Sequence, residues 1–342
     1  DMSFKRICGV DLGSDTIKIC DKNQKKLLCE KNMIAVRNRT ELIGVGQDAF
    51  EIYEKAPADV YAGCPIQNGS LAEGSSQETI LIHLMKNFST VFTHHPNIYM
   101  TAPTDITEVE RRAYYKILSG RLRAKRVMLV EKGVADAAGI GMPLDTPEGH
   151  MIVNLGGDRT EIYIISEGKT IIQRTLRMGG HTLDEDIINM VKKQFQLSIG
   201  RKTAEALKNQ LAYLLNGPAL EMRVFGIHTV TGLPRQVAIP ALAVSVSIVD
   251  TIDAITEVVK TTMERTPPQL LENIRKNGIY LTGGVSLLPN LSIYMQKELE
   301  VPVYNVSDPI FTTVRGLVRI MNDSDLRKNA AFSLKDFAGN LI

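Results

Sequence analysis

The chain has 342 residues, long enough for two domains with cores of their own. Apolar residues at 44% and charged residues at 23% exclude a disordered chain. The net charge of +2, with Lys and Arg scattered, gives no electrostatic footprint for a nucleic acid, and no such partner is expected.

The opening D-M-S-F-K-R leads straight into a strand, so no signal peptide is expected, and Asp1 before Met2 reads as an added residue. The first element is strand–turn–strand, I-C-G-V-D-L-G-S-D-T-I-K-I-C at 7–20. Gly13 puts no Cβ in the way of a phosphate, and Lys18 on the second strand can reach one as a point charge. Asp11 ends the first strand, where it could hold Mg2+ through water. Taken alone, the turn reads equally as a plain hairpin, and Lys18 as a solvated edge residue. Cys8, Cys20, Cys29 and Cys64 form no C-x-x-C and have no histidines at ligand spacing. Free thiols are expected there, and a zinc site is not.

T-E-V-E at 107–110 is a capping box, with Thr107 as N-cap and Glu110 reaching back. The opening plan then recurs at 151–165, M-I-V-N-L-G-G-D-R-T-E-I-Y-I-I, where Gly156 and Gly157 leave room for a second phosphate. T-L-D-E at 182–185 predicts another capped helix start at Thr182, followed by Ile187, Ile188, Val191 and Phe195 at helical spacing. Residues 224–230 and 235–239 read as strands joined by T-G-L-P. The apolar run at 237–249 is broken by Pro240 and two serines and is too short to span a bilayer. T-P-P-Q at 266–269 sets proline at the first helical position, and Gly278 lies just past the helix end. A third glycine turn, G-I-Y-L-T-G-G-V-S-L-L-P-N-L at 278–291, lets backbone approach a flat ligand, as beneath a nucleoside. Strands alternate with helices, so the class is α/β, and the internal repeat predicts two similar domains.

Phosphate turn, second phosphate turn and adenosine turn in this order resemble the actin superfamily. Within it the chain is similar to the MreB family of bacterial actins. The similarity runs through T-E-V-E-R-R-A at 107–113, A-G-I-G-M-P-L at 138–144, G-G-H-T-L-D-E-D-I at 179–187 and I-G-R-K-T-A-E at 199–205. It continues through V-T-G-L-P at 230–234, E-R-T-P-P-Q-L at 264–270 and G-I-Y-L-T-G-G-V at 278–285. The resemblance implies an actin-like, ribonuclease H-like duplicated fold: two domains, each split in two subdomains, around a nucleotide cleft. The implied boundaries are 1–31, 66–144 and 315–342 for subdomain IA and 32–65 for IB. They are 145–181 and 240–314 for IIA, and 182–239 for IIB.

The implied ligands are ATP or ADP with Mg2+. Gly13, Ser14, Asp15, Thr16 and Lys18 would bind nucleotide from one side, and Gly156, Gly157 and Asp158 from the other. Gly283, Gly284 and Val285 would lie beneath the nucleoside, with Glu205 and Lys208 on the ribose and adenine side. Glu205 and Lys208 read equally as a charge pair on a solvated helix face. The metal would be held by Asp11 and, weakly, Asn154.

Three departures fall where hydrolysis is expected. The family carries two glutamates before a proline, the second orienting the attacking water; here the pair is Glu131-Lys132, followed by glycine. Asn154 stands for an aspartate, and Arg159 for a small hydroxyl. An ammonium has no acceptor for a hydrogen bond from water, so slow or lost hydrolysis is expected. A one-position shift of Glu131 would restore it. The resemblance further implies double protofilaments, a cytoplasmic location on the inner face of the plasma membrane, and a role in cell-wall elongation and cell shape. Val91 and Phe92 match the lipid-inserting loop, or else Phe92 packs in the core. Other bacterial actins are expected as further partners. The competing readings are an active ATPase or small-molecule kinase of the superfamily, and a non-polymerising regulatory paralogue.

Overall fold

A computed structural model describes residues 7–67, 70–71, 73–88, 95–102 and 106–333. The chain folds as two compact units. One comprises Asp1–Ile152, Tyr163–Gln173 and Ile310–Ile342, and the other Val153–Ile162 and Arg174–Pro309.

The first unit is built on a six-stranded sheet. Its spatial order is Ala331–Ser333, Arg126–Glu131, Asn97–Ala102, Ile7–Leu12, Thr16–Asp21 and Leu27–Lys31. The opening hairpin is antiparallel, and Ile7–Leu12 runs parallel to Asn97–Ala102. Alternate residues of these strands, including Cys8, Val10, Ile17, Ile19, Ile98 and Met100, are buried beneath the helices Gly74–Phe88 and Glu108–Ser119. The capping box at Thr107 is present: Glu110 N–H donates to Thr107 Oγ1, and Thr107 N–H donates to the Glu110 carboxylate. A smaller sheet of Glu41–Val45, Ile34–Arg37 and Val60–Gly63 carries the helix Gln47–Ile52.

A five-stranded sheet runs Lys169–Leu176, Thr160–Ser166, His150–Leu155, Ile279–Thr282, Val303–Asn305. In both large sheets three consecutive strands lie side by side, and a strand from much later in the chain sits beside the first of them. The predicted repeat is therefore a repeat of fold as well as of sequence, and the architecture is actin-like.

Proline at the start of Pro268–Asn277 and Gly278 at its end match the expectation. Two boundaries differ from it. The hairpin strands are Glu221–His228 and Pro234–Pro240; the first stops short of Val230 because Gly232 N–H and Thr231 N–H fold back onto His228. The helix expected to start at Thr182 starts at Gly180 instead, and Thr182 Oγ1 accepts a hydrogen bond from Gly179 N–H. Its first amides are satisfied by carbonyls of another turn, so no side-chain cap is needed.

In the first unit the helices Lys132–Ile140 and Thr312–Asn322 approach backbone to backbone. A Cβ at Gly316 would lie 1.7 Å from the Ala135 carbonyl oxygen, and one at Gly139 would lie 2.0 Å from that of Thr312. Buried Asp136 accepts a 2.6 Å hydrogen bond from Thr313 Oγ1 along the same seam. Gly316→Ala is expected to destabilise by about 3 kcal/mol, the upper range of overpacking. Gly141→Ala meets open space at a φ of 91°. It should cost only about 1 kcal/mol, from the left-handed backbone alone. Urea unfolding of both variants checks the contrast, and equal losses would count against it.

Candidate functional site

In the first unit, antiparallel pairing sets Asp11 directly across from Lys18, so both side chains share one face. Their charged groups lie 3.4 Å apart, and both residues are buried, which answers the solvated-edge alternative for Lys18. Thr101 Oγ1 donates to the other Asp11 oxygen at 2.9 Å, and Lys18 also donates to Thr16 Oγ1 at 2.9 Å. Gly13 N–H closes the turn on the Thr16 carbonyl at 3.1 Å, and a Cβ on Gly13 would sit 2.6 Å from that oxygen.

Buried neighbours hold the turn from behind. Asn32 donates its side-chain amide to the Gly13 carbonyl and its backbone N–H to Asp15, and exchanges hydrogen bonds with Gln77. Cys64 Sγ donates to the Ser14 carbonyl, and Asp15 pairs with Lys31 at 2.9 Å. All four cysteines are free thiols.

Glu131 ends its strand and accepts a 2.7 Å hydrogen bond from Thr170 Oγ1. Lys132 opens the helix Lys132–Ile140, whose first turn holds no acidic residue and whose N-cap makes no side-chain bond. Burial alone would push the Asp11 carboxyl up. The Lys18 and Lys132 ammonium groups and the Thr101 hydroxyl outweigh it and hold Asp11 below the usual carboxylate range.

The second unit repeats the turn. Gly156 N–H closes on the Arg159 carbonyl at 3.0 Å, as Gly13 closes on Thr16. On that equivalence Asn154 stands where Asp11 does, Arg159 where Thr16 does and Glu161 where Lys18 does. Asn154 and Glu161 are buried, and the Arg159 guanidinium lies 3.9 Å from Glu161. Asp158 meets His181 Nδ1 at 2.5 Å.

Behind this turn sits the helix Gly180–Phe195. Gly180 N–H donates to Gly156 O and His181 N–H to Gly157 O, each at 2.9 Å. Gly179 must lack a side chain, because a Cβ there would be 2.5 Å from the Gly157 oxygen. Lys208, on the helix Arg201–Leu211, is buried and donates to Gly180 O at 2.9 Å and to Asp184 at 2.6 Å. It is not on a solvated face; Glu205, one turn earlier, is half-buried.

The third turn closes on the second. Gly283 has φ 86°, and a Cβ there would lie 2.4 Å from Leu155 O and 2.9 Å from Asn154 Oδ1. Gly284 opens a short 3-10 turn, and Val285 lies beside Gly180. Asn154, Gly156, Gly157, Asp158, Lys208, Gly283 and Val285 are thus brought together in one unit, while Asp11, Gly13, Ser14, Asp15, Thr16, Lys18 and Lys132 gather in the other. Val91 and Phe92 lie outside the described residues. Gly179, Gly180, His181 and Asp184 were not singled out from sequence as site residues, although G-G-H-T-L-D marked the place.

Among the described residues no three His, Cys, Asp or Glu side chains converge as a metal site. Asp11 accepts one hydrogen bond on each oxygen, from Lys18 and from Thr101, and its counterpart is the uncharged Asn154. This donor set does not fit a dedicated Mg2+ site.

Burial pushes the Asp184 carboxyl above its ordinary value, against the pull of the Lys208 ammonium. Lys208→Met would leave that buried carboxylate uncompensated, a loss of about 3–5 kcal/mol at pH 7. A carboxyl raised in the folded state costs stability as pH rises through the window above its unfolded value, so part of the loss should return at pH 5. Urea unfolding at the two pH values measures this, and an equal loss at both would refute the role of the pair.

The family model described as "MreB/Mbl protein" matches residues 5–329. Cell shape-determining protein Mbl of Bacillus cereus is 30% identical over 325 residues, covering 94% of this chain and 97% of the relative. The crystal structure of MreB5 of Spiroplasma citri bound to AMPPNP superposes with a TM-score of 0.88 at 26% identity, covering 94% of this chain and 97% of that one. The same protein bound to ADP matches equally. A MamK double helical filament shares the fold at a TM-score of 0.76 and 19% identity, over 93% of this chain and 98% of that one. The chain, matched over nearly its whole length and carrying all three glycine turns, belongs to the MreB/Mbl family.

Proposed function

We propose that this protein is a bacterial actin: a cytoskeletal protein that binds ATP and ADP, assembles into double protofilaments and contributes to cell shape. The observation that carries the nucleotide reading is the closure of the second unit, where the second phosphate turn, the Gly283 turn and Lys208 all meet around Gly180. Glycines at such a turn admit a phosphate without a side chain in the way. The relatives crystallised with AMPPNP and ADP support the ligand class. The relatives named for cell shape, and the filament of MamK, support the assembly. The division into four subdomains, with boundaries at 31/32, 65/66, 144/145, 181/182, 239/240 and 314/315, belongs to the same reading.

Hydrolysis is slow or lost in this reading. The position that by resemblance orients the attacking water is Lys132, which offers only donors, and Glu131 is engaged by Thr170. Negative-stain microscopy with ATP should show filaments, and a phosphate-release assay should show turnover far below that of an ordinary bacterial actin. Lys132→Glu combined with Asn154→Asp should raise turnover by about 100-fold, the low end of what a positioned proton acceptor contributes. If the double variant binds ATP but stays as slow, these positions are not the cause.

The filament works at the inner face of the plasma membrane with the wall-elongation machinery, alongside other bacterial actins. No helix among the described residues is long and apolar enough to cross a membrane. By the resemblance, attachment is assigned to Val91 and Phe92, two side chains that anchor a monomer weakly and a many-copy filament well. Filaments should pellet with anionic liposomes and lose most of that association when both residues become serine. Unchanged pelleting would remove the loop from the reading.

A further inference from the structure

We propose that His181 is a further nucleotide-binding residue: held by Asp158 in the second turn, its imidazole takes up a proton when a phosphate group enters the turn and supplies positive charge there. The inference rests on the nucleotide-binding reading and adds to it a residue and a proton.

His181 is tied to two successive residues of the turn. Its backbone N–H donates to Gly157 O at 2.9 Å, and its ring Nδ1 meets Asp158 Oδ1 at 2.5 Å. Backbone and ring are both anchored, so the imidazole stands at the turn instead of ranging through solvent. The side chains of His181 and Asp158 are 22% and 16% exposed, which leaves the pair open to water and protons although the fold holds it. An ionised carboxylate can only accept a hydrogen bond, so Nδ1 carries hydrogen in either state of the ring. The proton that comes and goes is therefore the one on Nε2, and solvent supplies it.

The charges around the ring favour that proton. Asp158 faces it from the turn and Asp184 from its own helix. The helix Arg201–Leu211 brings Lys208, bonded to Asp184 at 2.6 Å, and Glu205, which acts on the same carboxyl. Arg159, next in the turn, lies 3.9 Å from Glu161. Each of these fixed cations is set against a carboxylate, and Asp158 is set against His181. With a neutral ring, Asp158 places negative charge in the turn that receives phosphate. A protonated ring offsets it. Phosphate therefore favours the imidazolium, and by reciprocity the affinity for nucleotide falls as pH rises past the point where the ring loses its proton.

The test is calorimetric titration of the full chain with ADP, in buffers of different ionisation enthalpy so that protons taken up on binding are counted. Relative to His181→Gln, the wild type should take up more protons near neutral pH. It should also lose about tenfold more affinity between about pH 6 and about pH 8.5, the equivalent of one pKa unit. The titration of ADP itself is common to both and cancels in the comparison. His181→Lys keeps its charge over this range and covers the case in which the glutamine variant does not fold. It should bind ADP more tightly than the wild type at about pH 8.5 and no better at about pH 6, which a purely structural role for the ring would not produce. A wild type whose pH profile and proton uptake match those of either variant overturns this inference while leaving nucleotide binding intact. No ADP binding at any pH overturns the nucleotide reading and this inference with it.

Discussion

The second unit depends on two hydrogen bonds, from the amides of Gly180 and His181 to the carbonyls of Gly156 and Gly157. A helix begins with amides that have no partner within it, and these must go somewhere. Here two of them go to the phosphate turn, which fixes the turn and the helix as one body. The remaining placements follow from that join. Gly179 can have no Cβ, because the two carbonyls fill the space where one would stand. Lys208 reaches the carbonyl of Gly180, and Asp184, one turn along the same helix, supplies its counter-charge. Gly283 takes a left-handed backbone against Leu155 and Asn154, which draws the third turn onto the second. A carbonyl occupied from behind also leaves its turn less free to rearrange, and a phosphate cradle benefits from that stiffness.

The first two glycine turns share backbone geometry and have parted in side chains. Each closes with one amide onto the carbonyl three residues later, at 3.1 Å for Gly13 and 3.0 Å for Gly156. A turn defined by the backbone constrains its glycine and tolerates exchange at the flanking positions. So Asp11 and Lys18, a buried ion pair, correspond to Asn154 and Glu161, a neutral amide and a buried carboxylate with Arg159 nearby. The duplicated scaffold keeps the shape and allows each copy its own charge. Charge, unlike shape, decides which groups can be bound beside the phosphate.

Much of this was legible in the sequence where the controlling physics is local. The glycine turns, the capping box at Thr107, the proline opening Pro268–Asn277 and Gly278 at its end depend on residues close in the chain. The failures come where a distant partner decides. Thr182 has the pattern of a cap, yet the helix begins two residues earlier, because Gly156 and Gly157 offer acceptors that no local pattern reveals. Lys208 has the spacing of a surface pair with Glu205, yet its ammonium is buried on Gly180 and Asp184. Asn32 and Gln77 are 45 positions apart and join behind the first turn, which no reading of either segment alone would suggest.

Lys132 shows how a local liability becomes intelligible in the folded chain. A cation at the first residue of a helix opposes the macrodipole, at a cost of about 0.3–1 kcal/mol. The first turn of its helix has no acidic residue, and the cap makes no side-chain bond. The relief comes from Asp11, on another strand, whose carboxyl is held low partly by that same ammonium. Asp11 cannot neutralise it fully, since Lys18 lies 3.4 Å away and claims one oxygen. A folded protein keeps such a residue at modest cost when a carboxylate from elsewhere in the fold offsets part of it, which no pattern within the helix itself would reveal.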